Sequence, residues 1–395
     1  MAKRFNFDEV IPRKQTASVK WDLMKTMFGK EDLLPMWVAD MDFRPPQEVL
    51  DSLQDRLQHG IFGYTHVPEK ASQAVQQWMK RRHHWNISTE WLVYHIAVVP
   101  AISSCIQALT EPGDSVLIQA PVYHPFFDMI KLNGRKLINN PLVFKCNTYE
   151  FNFADFEQKL QAGVKLFLFC SPHNPVGRVW TKEELKKIGK LCQQYDVTIL
   201  SDEIHADLTF PPHKHIPIAS FPEWREQVIT LVSPSKTFNI AGLQASAMII
   251  PNKRLRTLIG QQMKRQGYFT LNTMGIVALE AAYRYGDDWL DALLGYLYEN
   301  IQLVKTFIEQ HLPALTVIPP EGTYLVWIDC RKLGLSPKEL HRILVQKGHL
   351  ALEPGEKFGP GGEGFVRMNV ATPRSQLLEG LERLKKALGQ IEKGD

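Results

Sequence analysis

Short apolar runs alternate with helical patterns through the middle of the chain. Candidate strands are "SVLIQ" at 115–119, "KLFLFC" at 165–170, "VTILSD" at 197–202, "VITLV" at 228–232 and "ASAMII" at 245–250. Most are near-continuous apolar runs, the pattern of parallel strands covered on both faces. Between them, "TKEELKKIGKLCQQYD" at 181–196 has helical periodicity. Thr181 is placed to cap it, and Glu184, three residues on, has capping-box spacing. This alternation predicts an α/β sheet domain. The C-terminal third has a different rhythm. It predicts a helix over 287–311, a strand at "TYLVWIDC" (323–330), a helix at "SPKELHRILVQKG" (336–348), a strand at "GFVRMNVA" (364–371) and a closing helix over 375–393. That order suggests a smaller α+β domain joined by the N-terminal segment. The stretch "PPHKHIP" at 211–217 reads as a loop.

A chain of 395 residues exceeds what one compact core usually serves, so two domains are expected. The expected division is an N-terminal segment 1–45 joining the small domain, a large domain over 46–286 and a small domain over 287–395. Hydrophobic residues at 44% and charged residues at 22% fit an ordinary globular protein. The net charge of +4 is spread out with no basic block, which argues against a nucleic-acid partner. No apolar run approaches the roughly 18 residues that span a bilayer, and the N-terminus lacks a signal-peptide core, so neither membrane nor export is expected. Five widely spaced cysteines without a C-x-x-C suggest reduced thiols and a cytoplasmic setting.

Candidate chemistry collects after the strands, where open α/β sheets bind ligands. "SPHNPVG" (171–177) follows 165–170, "SDEIHADL" (201–208) follows 197–200, "SPSK" (233–236) follows 228–232, and "APVYHPFF" (120–127) follows 115–119. Taken singly, Asn174 reads as a turn residue, Asp202 and the serines as caps, and Lys236 as a surface lysine. A sheet would bring them together.

N-P-x-G, strand-D-E and S-x-S-K in this order resemble the fold-type-I pyridoxal-phosphate enzymes of the class I/II aminotransferase superfamily. "LPMWVADMDF" (34–43), "GIFGYTHVPE" (60–69) and "SKTFNIAGLQAS" (235–246) narrow the resemblance to the MalY/PatB-type cystathionine β-lyase, or cysteine-S-conjugate β-lyase, family. It covers nearly the whole chain. It implies a mostly parallel seven-stranded sheet between helices, a smaller α+β domain and pyridoxal 5'-phosphate as cofactor. By this resemblance Lys236 holds the cofactor aldehyde as an imine and later moves protons at the substrate Cα. Asp202 keeps the pyridine nitrogen protonated. Asn174 bonds the ring hydroxylate and borders the substrate. Tyr123 stacks on the ring and assists proton transfer. Ser233, Ser235 and the helix-start amides of Ala101, Ile102 and Ser103 hold the phosphate. Tyr64 reaches it from a second subunit, which implies a homodimer. Arg367 grips the substrate carboxylate, and Trp37, Ala39 and Asp40 edge the substrate pocket.

Two positions depart from the usual aminotransferase pattern. Gln244 stands where many carry a phosphate-binding arginine. His205 stands where a tyrosine often meets the ring hydroxyl, so either a cofactor contact or a packing role is open to it. The implied reaction is α,β-elimination of L-cystathionine or a related cysteine conjugate to a thiol, pyruvate and ammonia. Transamination uses the same lysine and aspartate and stands as the alternative. A regulatory interaction protein that retains the cofactor is the alternative of another class. His83, His84, His213 and His215 lack metal-site spacing, so no metal is expected.

Overall fold

The computed structural model describes residues 5–389. Seven strands build its main sheet: β1 (Leu92–His95), β2 (Ser115–Ile118), β3 (Lys136–Asn139), β4 (Leu166–Cys170), β5 (Thr198–Asp202), β6 (Val228–Val232) and β7 (Ser246–Ile249). Their spatial order is β1-β7-β6-β5-β4-β2-β3. Strands β2 to β6 pair in parallel, while β7 is antiparallel to both β1 and β6. The apolar run of β7 does not reveal that reversal, because a strand covered on both faces reads alike in either direction. Strands β1 and β3 carry weak hydrophobic signals in sequence. They are the two edges of the sheet, and most of their residues stay partly exposed.

Successive residues of a strand face opposite sides, and the core divides accordingly. Leu166, Leu168 and Cys170 of β4 pack on one side with the helices Val98–Leu109 and Lys253–Arg265. Phe167 and Phe169 pack on the other, with Trp180, Ile188 and the helix Lys182–Gln194. That helix begins as its sequence predicts. Thr181 accepts from the Glu184 amide, and the Glu184 carboxylate accepts from the Thr181 amide.

A second sheet joins β8 (Thr316–Ile318), β9 (Leu325–Asp329), β10 (Glu353–Pro354) and β11 (Phe365–Asn369) in the antiparallel order β8-β9-β11-β10. The helices Asp287–His311, Pro337–Gln346 and Arg374–Leu388 accompany it. The closing helix was expected to run to 393, and residues 390–393 lie outside the described residues. Near the N-terminus, Leu34–Pro35 pairs in parallel with Leu350–Ala351. The stretch 211–217 contains neither helix nor strand. Among the described residues, no helix is long and apolar enough to cross a membrane.

Candidate active site

Strands β4, β5 and β6 end side by side, with Cys170 paired to Asp202 and Asp202 to Leu231. β4 and β5 then enter loops rich in polar groups, and β6 runs through Ser233 into the helix Pro234–Thr237. A cavity of about 160 Å³ lies at these strand ends, lined by Tyr123, Asn174, Asp202, His205, Ser235 and Lys236. Residues scattered over more than a hundred positions thus meet at one place, as the carboxyl ends of parallel strands favour.

Lys236 belongs to a four-residue helix, Pro234–Thr237. It is open to the cavity but densely surrounded by protein, and this burial pulls its ammonium down to about 8. Its Nζ donates to the Ala39 carbonyl at 2.5 Å. Asp202 is only 3% exposed and accepts from the Ile204 amide at 3.1 Å. Burial pushes its carboxyl up to about 7, and nearby Lys236 offsets this only in part. Tyr123 is raised to about 12, first by burial and then by the Asp202 charge. His205 is held neutral, pushed down to about 3 by burial and by the charges of Lys236 and Arg367. Its Nδ1 is buried without a hydrogen-bond partner among the described residues.

Arg367 lies mid-strand in β11, opposite Trp327 and Glu353. It crosses between the two sheets: Nη1 donates to Asn174 Oδ1 and Nη2 to the Trp37 carbonyl, both at 2.9 Å. Its guanidinium lies over the Phe358 ring at 4.8 Å. Its Nε is buried with no acceptor among the described residues, an orphan donor that suits an incoming carboxylate.

The segment 37–43 is strapped across both sheets by its carbonyls. Asn369 donates to Val38 and Asp40, Tyr324 joins Lys236 on Ala39, and Asn239 donates to Met41 and Phe43. These anchors were not foreseen, because asparagine and tyrosine at such distances leave no local signal.

Several expected placements need correction. The amides of Ala101, Ile102 and Ser103 do not face the cavity. The helix starts three residues earlier, at Val98, and the Ala101 amide is already spent on the Ala97 carbonyl. Ala97, Val98 and Val99 line the cavity instead, and their amides precede the first intrahelical bond. Ala101 and Ile102 are in the core, and Ser103 bonds Asn133. Ser233 reaches the cavity, yet its oxygen caps the Ser235 amide and lies 2.7 Å from the Ala245 carbonyl. A hydroxyl has one proton, so Ser235 is the better-placed donor. The Trp37 ring packs against Phe28 rather than on the pocket, and only its carbonyl takes part, through Arg367. Asp40 faces an adjoining cavity of about 600 Å³, which also reaches Lys236, and is forked onto Arg13. Tyr64 is 100% exposed. Gln244 is exposed and takes no part in lining the cavity. His83 and His215 bond carboxylates, Asp207 and Glu203 respectively. Of the five cysteines all are free; Cys146 is exposed, and Cys170 lines the cavity unforeseen.

The donor set fits pyridoxal 5'-phosphate. A carboxylate that burial forces up to about 7 suits the positive charge of a protonated pyridine nitrogen. Helix-start amides and the Ser235 hydroxyl suit a phosphate, and a lysine with lowered pKa suits an aldehyde.

The Aminotransferase class I and II family matches residues 31–384. The cystathionine β-lyase PatB of Bacillus subtilis (strain 168) is 46% identical over 97% of this chain and 100% of its own length. A PLP-bound crystal structure from Clostridium difficile 630, named provisionally as an aminotransferase, superposes with a TM-score of 0.96 at 47% identity, covering 98% of this chain and 100% of that one. Cystalysin from Treponema denticola, which contains pyridoxal 5'-phosphate, gives 0.95 at 39% identity with the same coverage. With matches of this length and identity, the chain belongs to the class I and II aminotransferase family, in the part of it that includes PatB.

Proposed function

We propose that this protein is a pyridoxal-phosphate-dependent C–S lyase that cleaves L-cystathionine, or a related cysteine S-conjugate, to a thiol, pyruvate and ammonia. The observation that carries the reading is the single cavity where Lys236, Asp202, Asn174, Tyr123 and Ser235 meet, beside an Arg367 with an unused Nε. The chemistry that bound pyridoxal 5'-phosphate supplies is a ring that accepts the electron pair freed at the substrate Cα.

The residues divide the remaining work. Arg367, braced by Asn174 and the Trp37 carbonyl, receives the substrate α-carboxylate and so fixes the direction of the Cα–H bond. Lys236 Nζ, lowered to about 8, takes the Cα proton. Between proton transfers the Ala39 carbonyl gives that amine a resting partner. The Asp202 carboxylate would hold a proton on the pyridine nitrogen. Tyr123, which lines the cavity, would flank the ring, and neutral His205 closes the pocket without adding charge. The Ser235 hydroxyl and the amides of Ala97, Val98 and Val99 would bind the phosphate.

A second copy of the chain would complete the site. Tyr64 stands fully exposed among Ile61, Phe62 and Phe269, apolar residues that are themselves largely exposed. Such a patch favours burial against a partner, and the homodimer is the assembly we infer. We also infer that 46–286 and 287–395 form a large and a small domain, with 1–45 attached to the latter, and that the protein works in the cytoplasm. The pairing of Leu34–Pro35 with Leu350–Ala351 supports that division.

The test is incubation of the protein, loaded with pyridoxal 5'-phosphate, with L-cystathionine and no added keto acid. Pyruvate and free thiol in equal amounts support elimination. Turnover only with added 2-oxo acid would instead establish transamination, the second reading, which the aminotransferase name of the 47%-identical structure keeps in play.

A further inference from the structure

A helix of four residues cannot support itself, because nucleation fixes several dihedrals for one hydrogen bond. The helix Pro234–Thr237, which carries Lys236, closes with a bond from the Phe238 amide to the Pro234 carbonyl at 2.9 Å. Side chains must therefore hold it. Ser233 caps its start. At its end the fully buried Thr237 donates from Oγ1 to Asp207 Oδ2 at 2.7 Å.

The other oxygen of Asp207 ties this turn to a long helix. Asp207 Oδ1 accepts from Trp78 Nε1 at 2.9 Å and pairs with His83 Nε2 at 2.7 Å, both on Glu69–His83. Burial alone would raise the Asp207 carboxyl. The bond and charge of His83, with Thr237 and Trp78, reverse that and hold it below the usual carboxylate range. The Trp78 ring also packs edge-on against Phe238 at 5.5 Å. A fifteen-residue helix thus grips both residues that follow Lys236. The grip extends to the Asp202 side. Glu203 accepts from Ser201 at 2.8 Å and pairs with His215 at 2.7 Å, and the His215 ring meets His83 edge to face at 5.6 Å.

We propose that Asp207 is a positioning residue for Lys236, acting through Thr237 to fix the turn from which the lysine reaches the cavity. Asp207 does not line that cavity, so it touches neither substrate nor cofactor. The inference rests on the reading of Lys236 as the proton-moving amine. A displaced turn would move Nζ relative to the Cα proton while leaving the Arg367 fork intact. The expected signature is therefore a loss in kcat with little change in KM.

The experiment compares wild type, Thr237→Val, Thr237→Ser, Asp207→Asn and the double variant Asp207→Asn/Thr237→Val, all loaded with pyridoxal 5'-phosphate. Steady-state kcat and KM for cystathionine are read beside the rate at which each cofactor-free chain captures pyridoxal 5'-phosphate on Lys236, followed by borohydride fixation and peptide mapping. Thr237→Val is expected to lower kcat about tenfold, with KM within twofold, and to slow capture at Lys236 by threefold or more. Thr237→Ser, which keeps the hydroxyl, is expected to restore both within twofold. The double variant is expected to be no worse than the more affected single variant, since both cut one tether. Should Thr237→Val not fold, Thr237→Ala reads the same quantities. The proposal is overturned if the valine or alanine variant keeps kcat and capture within twofold of wild type. It is overturned equally if serine fails to rescue, or if the two losses multiply. If wild type captures the cofactor but forms no pyruvate, the lyase reading fails, while the capture rates still decide the role of Asp207.

Discussion

Replacing Arg367 by lysine tests how the site holds its substrate. The arginine spends Nη1 on Asn174 and Nη2 on Trp37, each at 2.9 Å, and keeps Nε buried without an acceptor among the described residues. Lysine offers one point donor cluster and cannot keep both braces while presenting a planar fork. The loss of one charge-assisted bond to the substrate carboxylate is worth about 1.5–3 kcal/mol. At 1.36 kcal/mol per decade this is about a 10- to 150-fold fall in kcat/KM. The assay is pyruvate release from L-cystathionine, coupled to lactate dehydrogenase, with a thermal melt to confirm folding. A cystathionine analogue lacking the α-carboxylate of the cleaved half is a poor substrate for both proteins and discriminates little between them. A variant within threefold of wild type on cystathionine, or one equally impaired on the analogue, would refute the assignment.

Asp202→Asn probes the buried carboxylate in the cofactor-free chain. Its folded pKa of about 7 lies above the ordinary 3.8, so the folded state binds more protons between those values, and stability falls as pH rises through that window. The variant is expected to melt above wild type at pH 8 and together with it at pH 4; a pH-independent offset between the two melts would contradict this. Gly177 has φ +74°, and a Cβ there would lie 2.9 Å from the Pro320 Cα, so Gly177→Ala is expected to destabilise by about 2 kcal/mol, read from urea midpoints, with the Asn174 loop disturbed. Thr181→Ala removes a capping-box bond far from the chemistry and is expected to cost about 1 kcal/mol with kcat unchanged; a loss of activity would show that this helix does more than cover the sheet.

What the sequence determined by itself is local. Apolar runs marked β2, β4, β5, β6 and β7, because burial on both faces demands them. Thr181 and Glu184 announced their helix, because a capping box joins residues three apart. The short polar stretches after those strands announced the site, since a parallel sheet delivers its strand ends to one side. Tertiary structure alone decided the rest. Edge strands β1 and β3 are pinned by a neighbour rather than by their own half-exposed residues. The helix at Val98 starts three residues before the expected phosphate amides, which moves the free N–H groups to Ala97, Val98 and Val99. Arg367 meets Asn174 across 193 positions of chain, and Asp207 joins Thr237 to His83 and Trp78 only once the helix Glu69–His83 packs beside it. Propensity and capping act over a few residues. A hydrogen bond between distant side chains exists only after the packing of whole elements has brought its two atoms within 3 Å.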